Sequence, residues 1–275
     1  MSSNSILITG CSSGIGYAAA QALRARGWRV FAACRQQADC DRLSAEGFDA
    51  PLLDYTDEDS IDAALAHVLV QTGGTLDALF NNGAYGLPGA VEDLPTEALR
   101  ATFESNFFGW HTLTRAVIPA MRKQGYGRIV QCSSVLGIVA MPWRGAYNAT
   151  KFALEGLTDT LRMEMRDTDI KVVLIEPGPI ATKFRANSIL QYERWIDWKS
   201  SARAVQYRDV LNKRLYESSG PDRFELPADA VVRKLIHAVE HPRPRARYYI
   251  TTPTYIADVL RRILPTRALD WVLGR

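Results

Sequence analysis

The 275-residue sequence predicts an α/β protein, a doubly wound parallel sheet with helices on both faces. Three observations predict it. Short apolar runs alternate with longer segments of helical periodicity. The runs are almost continuously apolar, as in strands buried on both faces. The first run feeds a glycine-rich turn that opens a helix.

The elements follow in order. "SILITG" (5–10) reads as the first strand and Ala18 to Arg26 as the first helix. "WRVFAAC" (28–34) is the second strand, "APLLD" (50–54) the third, and a helix covers about 57–72. "LDALFNN" (76–82) is the fourth strand, and a long helical region runs from about 96 to 123. "GRIVQCSS" (127–134) is the fifth, followed by a helix that carries Tyr147 and Lys151. "IKVVLIEPG" (170–178) is the sixth. Parallel strands joined this way need right-handed crossovers. No internal repeat or low-complexity linker intervenes, so residues 1–275 are read as one domain. Residues 179–225 break the rhythm, with Phe184, Tyr192, Trp195, Trp198, Tyr207, Tyr216 and Phe224 among many charges. They are expected to form a helical lid insertion outside the carboxyl ends of the strands, where open α/β sheets bind ligands. A further helix starts near Pro227.

Composition narrows the function classes. Hydrophobic residues at 47% and charged residues at 23% suit a globular protein with a sizeable core. A net charge of +3, with no basic stripe interleaved with aromatics, argues against nucleic acid as a partner. No Lys or Arg precedes Arg24 and no apolar run approaches 18 residues, so neither a signal peptide nor a spanning helix is expected. Cys11, Cys34, Cys40 and Cys132 form no C-x-x-C pair. They are expected to be small core groups rather than metal ligands, in a reducing cytoplasmic setting.

The turn after the first strand is "TGCSSGIG", Thr9 to Gly16. Gly10 suits the tight turn, and Gly14 and Gly16 let the backbone approach a pyrophosphate and the helix pack on the sheet. The helix N-terminus, from Ile15 on, offers free N–H groups and partial positive charge, and Ser12 and Ser13 add hydroxyls. The strand-then-helix context predicts a Rossmann-type dinucleotide site rather than a plain turn. An NAD site usually carries an acid about 20 residues on. Here that place is taken by Arg35, 19 positions after Gly16. Its planar fork of donors fits a ribose 2′-phosphate, which favours NADP(H), the alternative being a solvated strand-end arginine. Asp54 is a candidate for the adenine amino group, or else a turn cap.

Tyr147 and Lys151 stand one helical turn apart. Such a pair can simply pack its stems. Taken with the glycine turn, the Asn-rich end of the fourth strand and Ser134 placed 13 residues before Tyr147, the sequence resembles the short-chain dehydrogenase/reductases from about residue 5 to residue 182. The details "GCSSGIG", "AACR" and "NFFG" look closest to an NADP-using branch with 17β-hydroxysteroid and retinol dehydrogenases and their bacterial relatives. The resemblance implies a catalytic set of Asn106, Ser134, Tyr147 and Lys151. Tyr147 would serve as general acid/base and Lys151 would pull its phenol down and bind the nicotinamide ribose. Ser134 would hold the substrate oxygen and Asn106 a water. It also assigns Asn82 and the Pro-Gly-x-x-x-Thr segment, Pro177, Gly178, Ile180 and Thr182, to the cofactor. One departure is Gly83-Ala84, where the family has Ala-Gly.

The expected activity is therefore interconversion of an alcohol with an apolar aldehyde or ketone. A dinucleotide-binding part covers about 1–134 and a catalytic and substrate part about 135–253. A regulator that senses NADP without catalysis is the alternative, and the complete Ser134–Tyr147–Lys151 set speaks against it. The family pairs the helices that carry Asn106 and Tyr147 between subunits. Phe103, Phe107, Phe152 and Leu157 are thus candidates for a homodimer or homotetramer surface. In the tail, 254–275, an apolar stripe of Ile256, Val259, Leu260, Ile263 and Leu264 lies on one helix face. Pro265 ends that helix and Thr266 caps a second one carrying Leu269, Val272 and Leu273. Residues 243–275 hold seven Arg against two Asp. The tail is expected to dock on its own protein near the lid, the alternatives being weak contact with an anionic membrane surface or a mobile flap.

Overall fold

The computed structural model describes residues 3–217, 220 and 222–274. Three positions of the lid region (218, 219 and 221) and Arg275 of the tail fall outside the described residues. Six parallel strands form one sheet in the order β2-β1-β3-β4-β5-β6. They are β1 (Ser5–Thr9), β2 (Arg29–Ala33), β3 (Ala78–Asn81), β4 (Tyr126–Cys132), β5 (Asp169–Glu176) and β6 (Arg247–Tyr249). Leu7 of β1 is in register with Phe31 of β2 on one side and Leu79 of β3 on the other. All three are fully buried, because helices cover both faces. The strand order reverses at β1, which opens a crevice at the carboxyl ends of β1 and β3.

The crossover helices are α1 (Gly14–Ala25), α2 (Gln37–Ala45), α3 (Glu58–Thr72), α4 (Thr96–Phe103), α5 (Gly109–Gln124) and α6 (Gly145–Glu164). Asp57 caps α3 through bonds from the N–H groups of Asp59 and Ser60, and Gly73 ends it in the left-handed conformation at φ 68°. A π-type turn, Glu104–Phe108, joins α4 to α5, so the long helical region is continuous but rewound at Asn106.

Three expectations are corrected. "APLLD" is not a strand; around it the chain meets the β2 edge at the isolated bridges Phe31–Asp49 and Cys34–Leu52, with the Leu53 N–H donating to Cys34 O at 2.8 Å. Pro51 has no N–H for a ladder, and such residues stay at sheet edges. The sixth strand is instead β6, three residues long and hidden behind "HPRPRA". The sequence reading also passed over α2, whose only buried side chains are Cys40 and Leu43.

The lid region is α7 (Phe184–Trp195), a single turn α8 (Ala204–Gln206) and a π-type helix, Tyr207–Glu217. Tyr192, Ile196, Tyr207, Leu211 and Leu215 form a second core with Leu87, Ala90, Ala98 and Ala146. The Tyr207 hydroxyl accepts the Ala90 N–H at 2.8 Å. α9 (Asp229–Glu240), α10 (Thr252–Ile263) and α11 (Thr266–Leu273) complete the chain. The tail does dock on its own domain, but not by the predicted stripe. Ile256, Val259 and Ile263 are exposed, whereas Thr254 and Ala257 are buried. Ala257, Leu269 and Leu273 pack on Ile138 and Val139 of the loop after β4. Pro265 is itself the cap of α11, and Thr266 is the first helical residue.

Arg247 of β6 fastens the C-terminal part to the sheet. Its guanidinium pairs with Glu155 and Glu176, and with Asp159 at 2.5 Å. Glu155 and Asp159 belong to α6 and Glu176 ends β5. Burial and the neighbouring Glu155 raise the Glu176 carboxyl, and the Arg247 guanidinium offsets part of this.

Candidate active site

The glycine turn makes a cradle that side chains would fill. Gly10 and Gly14 adopt φ +68° and +59°, the left-handed region that favours glycine. A Cβ on Gly16 would lie 2.4 Å from Gly10 O, and one on Gly14 would lie 3.0 Å from Thr182 Cγ2. Ser13 precedes α1 without a side-chain cap bond, and the first turn of α1 has no acid. Its N–H groups and positive dipole end therefore face an uncapped concave turn, which suits a pyrophosphate. Ile15 packs against the main core, so it anchors the cradle from behind.

At the end of β2, Arg35 is exposed, two residues before α2. The sequence reading missed Arg42 of α2. Its guanidinium donates to Ser12 O at 2.8 Å and pairs with Glu46 and Asp39 at 2.8 and 3.4 Å. Arg42 thus braces the cradle, and Arg35 is the arginine not spent in this way. Asp54 acts as a turn cap through its Oδ1, which accepts the N–H and the hydroxyl of Thr56, both at 2.9 Å.

Buried polar bonds hold the strand ends. Tyr55 Oη lies 2.7 Å from Thr9 Oγ1 and donates to Asn81 Oδ1 at 2.7 Å. Asn81 Nδ2 donates to Thr114 Oγ1 at 3.0 Å, as does Gln131 Nε2. Asn82 closes the crevice, with Nδ2 donating to Thr9 O at 3.0 Å. The Gly83-Ala84 order has a local reason. A Cβ at Gly83 would sit 3.3 Å from Gly10 N and 3.4 Å from the Tyr55 ring, so the close approach of the Gly10 backbone favours glycine there.

Ser134, Tyr147 and Lys151 converge at the carboxyl end of β4. The Ser134 hydroxyl favours the ionised form of the Tyr147 phenol, and its Oγ accepts the Leu136 N–H at 3.1 Å. Lys151 is only 1% exposed. Its Nζ donates to Cys132 O at 2.8 Å, lies 4.1 Å from the centre of the Trp110 ring and 5.6 Å from that of Tyr147. Burial penalises both charged forms. It lowers the Lys151 ammonium to about 8 and pushes the Tyr147 phenol well above its ordinary value, the nearby Ser134 hydroxyl offsetting part of this. Desolvation is thus the largest influence on the phenol, against the expected lowering. Asn106 is placed differently from expectation too. Its Nδ2 donates to Tyr85 O at 2.8 Å and its Oδ1 accepts the Tyr85 N–H at 3.1 Å, so the side chain braces the loop after β3.

Trp110 joins these pieces and was not legible in the sequence. It is fully buried one turn past Asn106, and its Nε1 donates to Gly83 O at 2.9 Å. A cation over an indole face is favoured by about 0.5–2 kcal/mol, more when desolvated. Removing that face further disfavours the ammonium, so Trp110→Leu should move the alkaline limb of kcat/KM against pH downward by up to about one unit, and Trp110→Phe should restore most of it. An unmoved limb in Trp110→Leu would leave the indole a purely structural role.

Pro177 O accepts the Val135 N–H at 2.8 Å, tying the loop after β5 to the loop of Ser134. A Cβ on Gly178 would fall 2.1 Å from Thr251 Oγ1. Ile180 bridges Leu226, and Thr182 Oγ1 accepts the Phe184 N–H at 3.3 Å. Phe184 then lays its ring against Tyr147, 5.3 Å between centres. The first residue of the lid thus covers the phenol. All four cysteines are buried and unpaired, and no group of His, Cys, Asp and Glu suited to a metal occurs among the described residues. Nor is any described helix long and apolar enough to cross a membrane.

Comparison with known proteins agrees with this geometry. A family model described as short chain dehydrogenase matches residues 4–193. An uncharacterized oxidoreductase of Escherichia coli (strain K12), YbbO, is 40% identical over 269 residues, 98% of this chain and 93% of that protein. An NADPH-dependent 3-dehydrocapnine reductase of Ornithobacterium rhinotracheale is 30% identical over 279 residues, 96% of this chain and 94% of that one. The crystal structure of a short-chain dehydrogenase from Streptomyces avermitilis superposes with a TM-score of 0.78 at 30% identity, covering 99% and 94% of the two chains.

Proposed function

The chain belongs to the short-chain dehydrogenase family, an oxidoreductase acting on CH–OH groups with a nicotinamide cofactor, and from that premise we propose that it uses NADP(H) to interconvert an alcohol and an apolar aldehyde or ketone. The observation that carries the reading is the burial together of Ser134, Tyr147 and Lys151 at the carboxyl end of β4, with the Lys151 ammonium 5.6 Å from the centre of the Tyr147 ring. Gly10, Ser12, Ser13, Gly14, Ile15 and Gly16 would hold the pyrophosphate. Asn82, Lys151, Pro177, Gly178, Ile180 and Thr182 would line the remainder of the cofactor, and Asp54 would lie at its adenine end. When bound, the nicotinamide supplies the hydride. Tyr147 Oη gives its proton to the carbonyl oxygen in reduction and takes it back in oxidation. Burial raises the phenol above its ordinary value, so its use as an acid depends on groups that stabilise the phenolate. Ser134 steadies the same oxygen as negative charge builds on it. Lys151 stabilises the phenolate left behind. Asn106 keeps the Tyr85 loop in place. Arg35 supports NADP(H) over NAD(H), and the name of the O. rhinotracheale relative points the same way.

A panel of medium-chain aldehydes and ketones, followed by NADPH absorbance, tests the reading; turnover of none of them by protein that binds NADPH would end it. Four unpaired cysteines support a reducing, cytoplasmic setting. Exposed Phe108, Phe152 and Leu157 on the α5 and α6 side support a homodimer or homotetramer. Light scattering at micromolar concentration should give at least twice the 30.6 kDa chain mass, and a lone monomer peak would refute the assembly. Exposed Ile256, Val259, Ile263 and Trp271 beside Arg261, Arg262 and Arg267 support a weak contact of the tail with an anionic membrane. Co-sedimentation with anionic but not neutral vesicles is its test.

A further inference from the structure

Arg144 stands immediately before α6, three residues ahead of Tyr147. Its backbone is fixed on both sides. The Gly89 N–H donates to Trp143 O at 3.1 Å, and Arg144 itself bridges Gly89. Trp143 adopts φ +65°, a left-handed conformation that costs a bulky residue free energy and persists where the surroundings enforce it. The Trp143 ring meets Tyr207 of the lid at 4.9 Å. Arg144 is therefore clamped between the start of the Tyr147 helix and the lid.

Its guanidinium lacks a matching acid. Among the described residues its one hydrogen bond is a long one, 3.4 Å to Trp143 O, and it enters no ion pair. The charges that reach it are mainly of its own sign, Arg185 of α7 and Arg214 of the lid's π-type helix. The nearby carboxylate, Asp222, pairs with Arg185 at 2.8 Å. Burial and the two arginines lower Arg144 to about 10, a measure of how poorly its charge is compensated. Arg185 follows Phe184, whose ring covers Tyr147, so the cluster adjoins the proposed reaction centre.

A partly buried charge without a counter-charge is costly, and the cost is recovered when a ligand brings the opposite charge. We propose that Arg144, with Arg185 and Arg214, forms an anion-recognition site for the substrate, which is then a carbonyl or alcohol carrying a carboxylate or sulfonate on an apolar chain. This rests on the oxidoreductase reading above and deepens it. The guanidinium holds the oxyanion by paired N–H donors, while the aromatic side of the lid takes the chain.

Two arms test the proposal separately from that reading. In the first, 4-oxodecanoate and its methyl ester are compared as substrates with NADPH. Wild type should favour the acid in kcat/KM by roughly 10- to 100-fold, the range of a charge-assisted hydrogen bond. Arg144→Gln should bring the ratio close to one, and Arg214→Gln, on an exposed lid position, should lower it without the folding risk of a half-buried site. A ratio near one in wild type, or unchanged in both variants, overturns the proposal. The second arm needs no turnover. Decane-1-sulfonate should bind wild type at least tenfold more tightly than decan-1-ol by calorimetry, and Arg144→Gln should erase the difference. Equal binding of both probes by wild type, or a difference that survives in Arg144→Gln, overturns the anion site. Failure of every carbonyl with retained Arg144-dependent sulfonate binding would sink the oxidoreductase reading and leave the anion site standing.

Discussion

Tyr147→Phe should lower kcat by roughly 10²–10⁴-fold, the usual worth of a positioned general acid, while NADPH still binds. The substitution removes one oxygen. The ring that faces Phe184 at 5.3 Å and sits 5.6 Å from the Lys151 ammonium stays in place. The glycine cradle lies on other elements and should be unaffected. Ser134 keeps its bond from the Leu136 N–H, so the loop that carries it retains a fixed point. What disappears is the proton that burial holds on the phenol. Single-turnover absorbance separates loss of chemistry from loss of binding, and NADPH fluorescence titration checks the second. Retention of more than a tenth of the wild-type rate would mean that another group delivers the proton.

Arg35→Asp should change cofactor preference by a comparable factor. A carboxylate at this exposed strand end repels a 2′-phosphate and can accept from a 2′-hydroxyl. The loss of a charge-assisted bond and the added repulsion together should reduce the NADPH-to-NADH ratio of kcat/KM by roughly 100-fold or more. Arg42 is poorly placed to compensate, because its guanidinium is taken up by Ser12 O, Asp39 and Glu46. Steady-state kinetics with both cofactors decides it. If the ratio barely moves, Arg42 exchanges its partners and reads the phosphate.

Local signals explain what could be read in advance. The buried strands are nearly pure apolar runs, and the glycine turn needs its residues for reasons of backbone shape alone, so five of the six strands and the cradle were legible. "APLLD" misled because an apolar run says nothing about whether its N–H groups find a ladder, and Pro51 has none. β6 escaped because its three residues owe their place to Arg247 and three distant acids rather than to pattern. The Ser134–Tyr147–Lys151 set was readable as spacing, but not the balance of energies within it, since desolvation depends on what the fold places overhead. Trp110 and Arg144 are single residues in unremarkable helical text. Their partners, Lys151 in one case and the lid arginines in the other, lie 41 or more residues away in sequence and become visible only in three dimensions.

The pairing of Arg247 with Glu155, Asp159 and Glu176 constrains how this protein can evolve. One guanidinium serves the helix of Tyr147, the strand leading into Pro177 and the short final strand. Loss of Arg247 alone strands buried carboxylates, and loss of one acid alone changes which of the others the arginine must satisfy. Single changes are thus penalised far beyond the worth of the pair they break, whereas an apolar replacement of the whole set can be nearly neutral. Descendants of this chain should reach the second arrangement only through intermediates less fit than either end, so the four positions are inherited as a block.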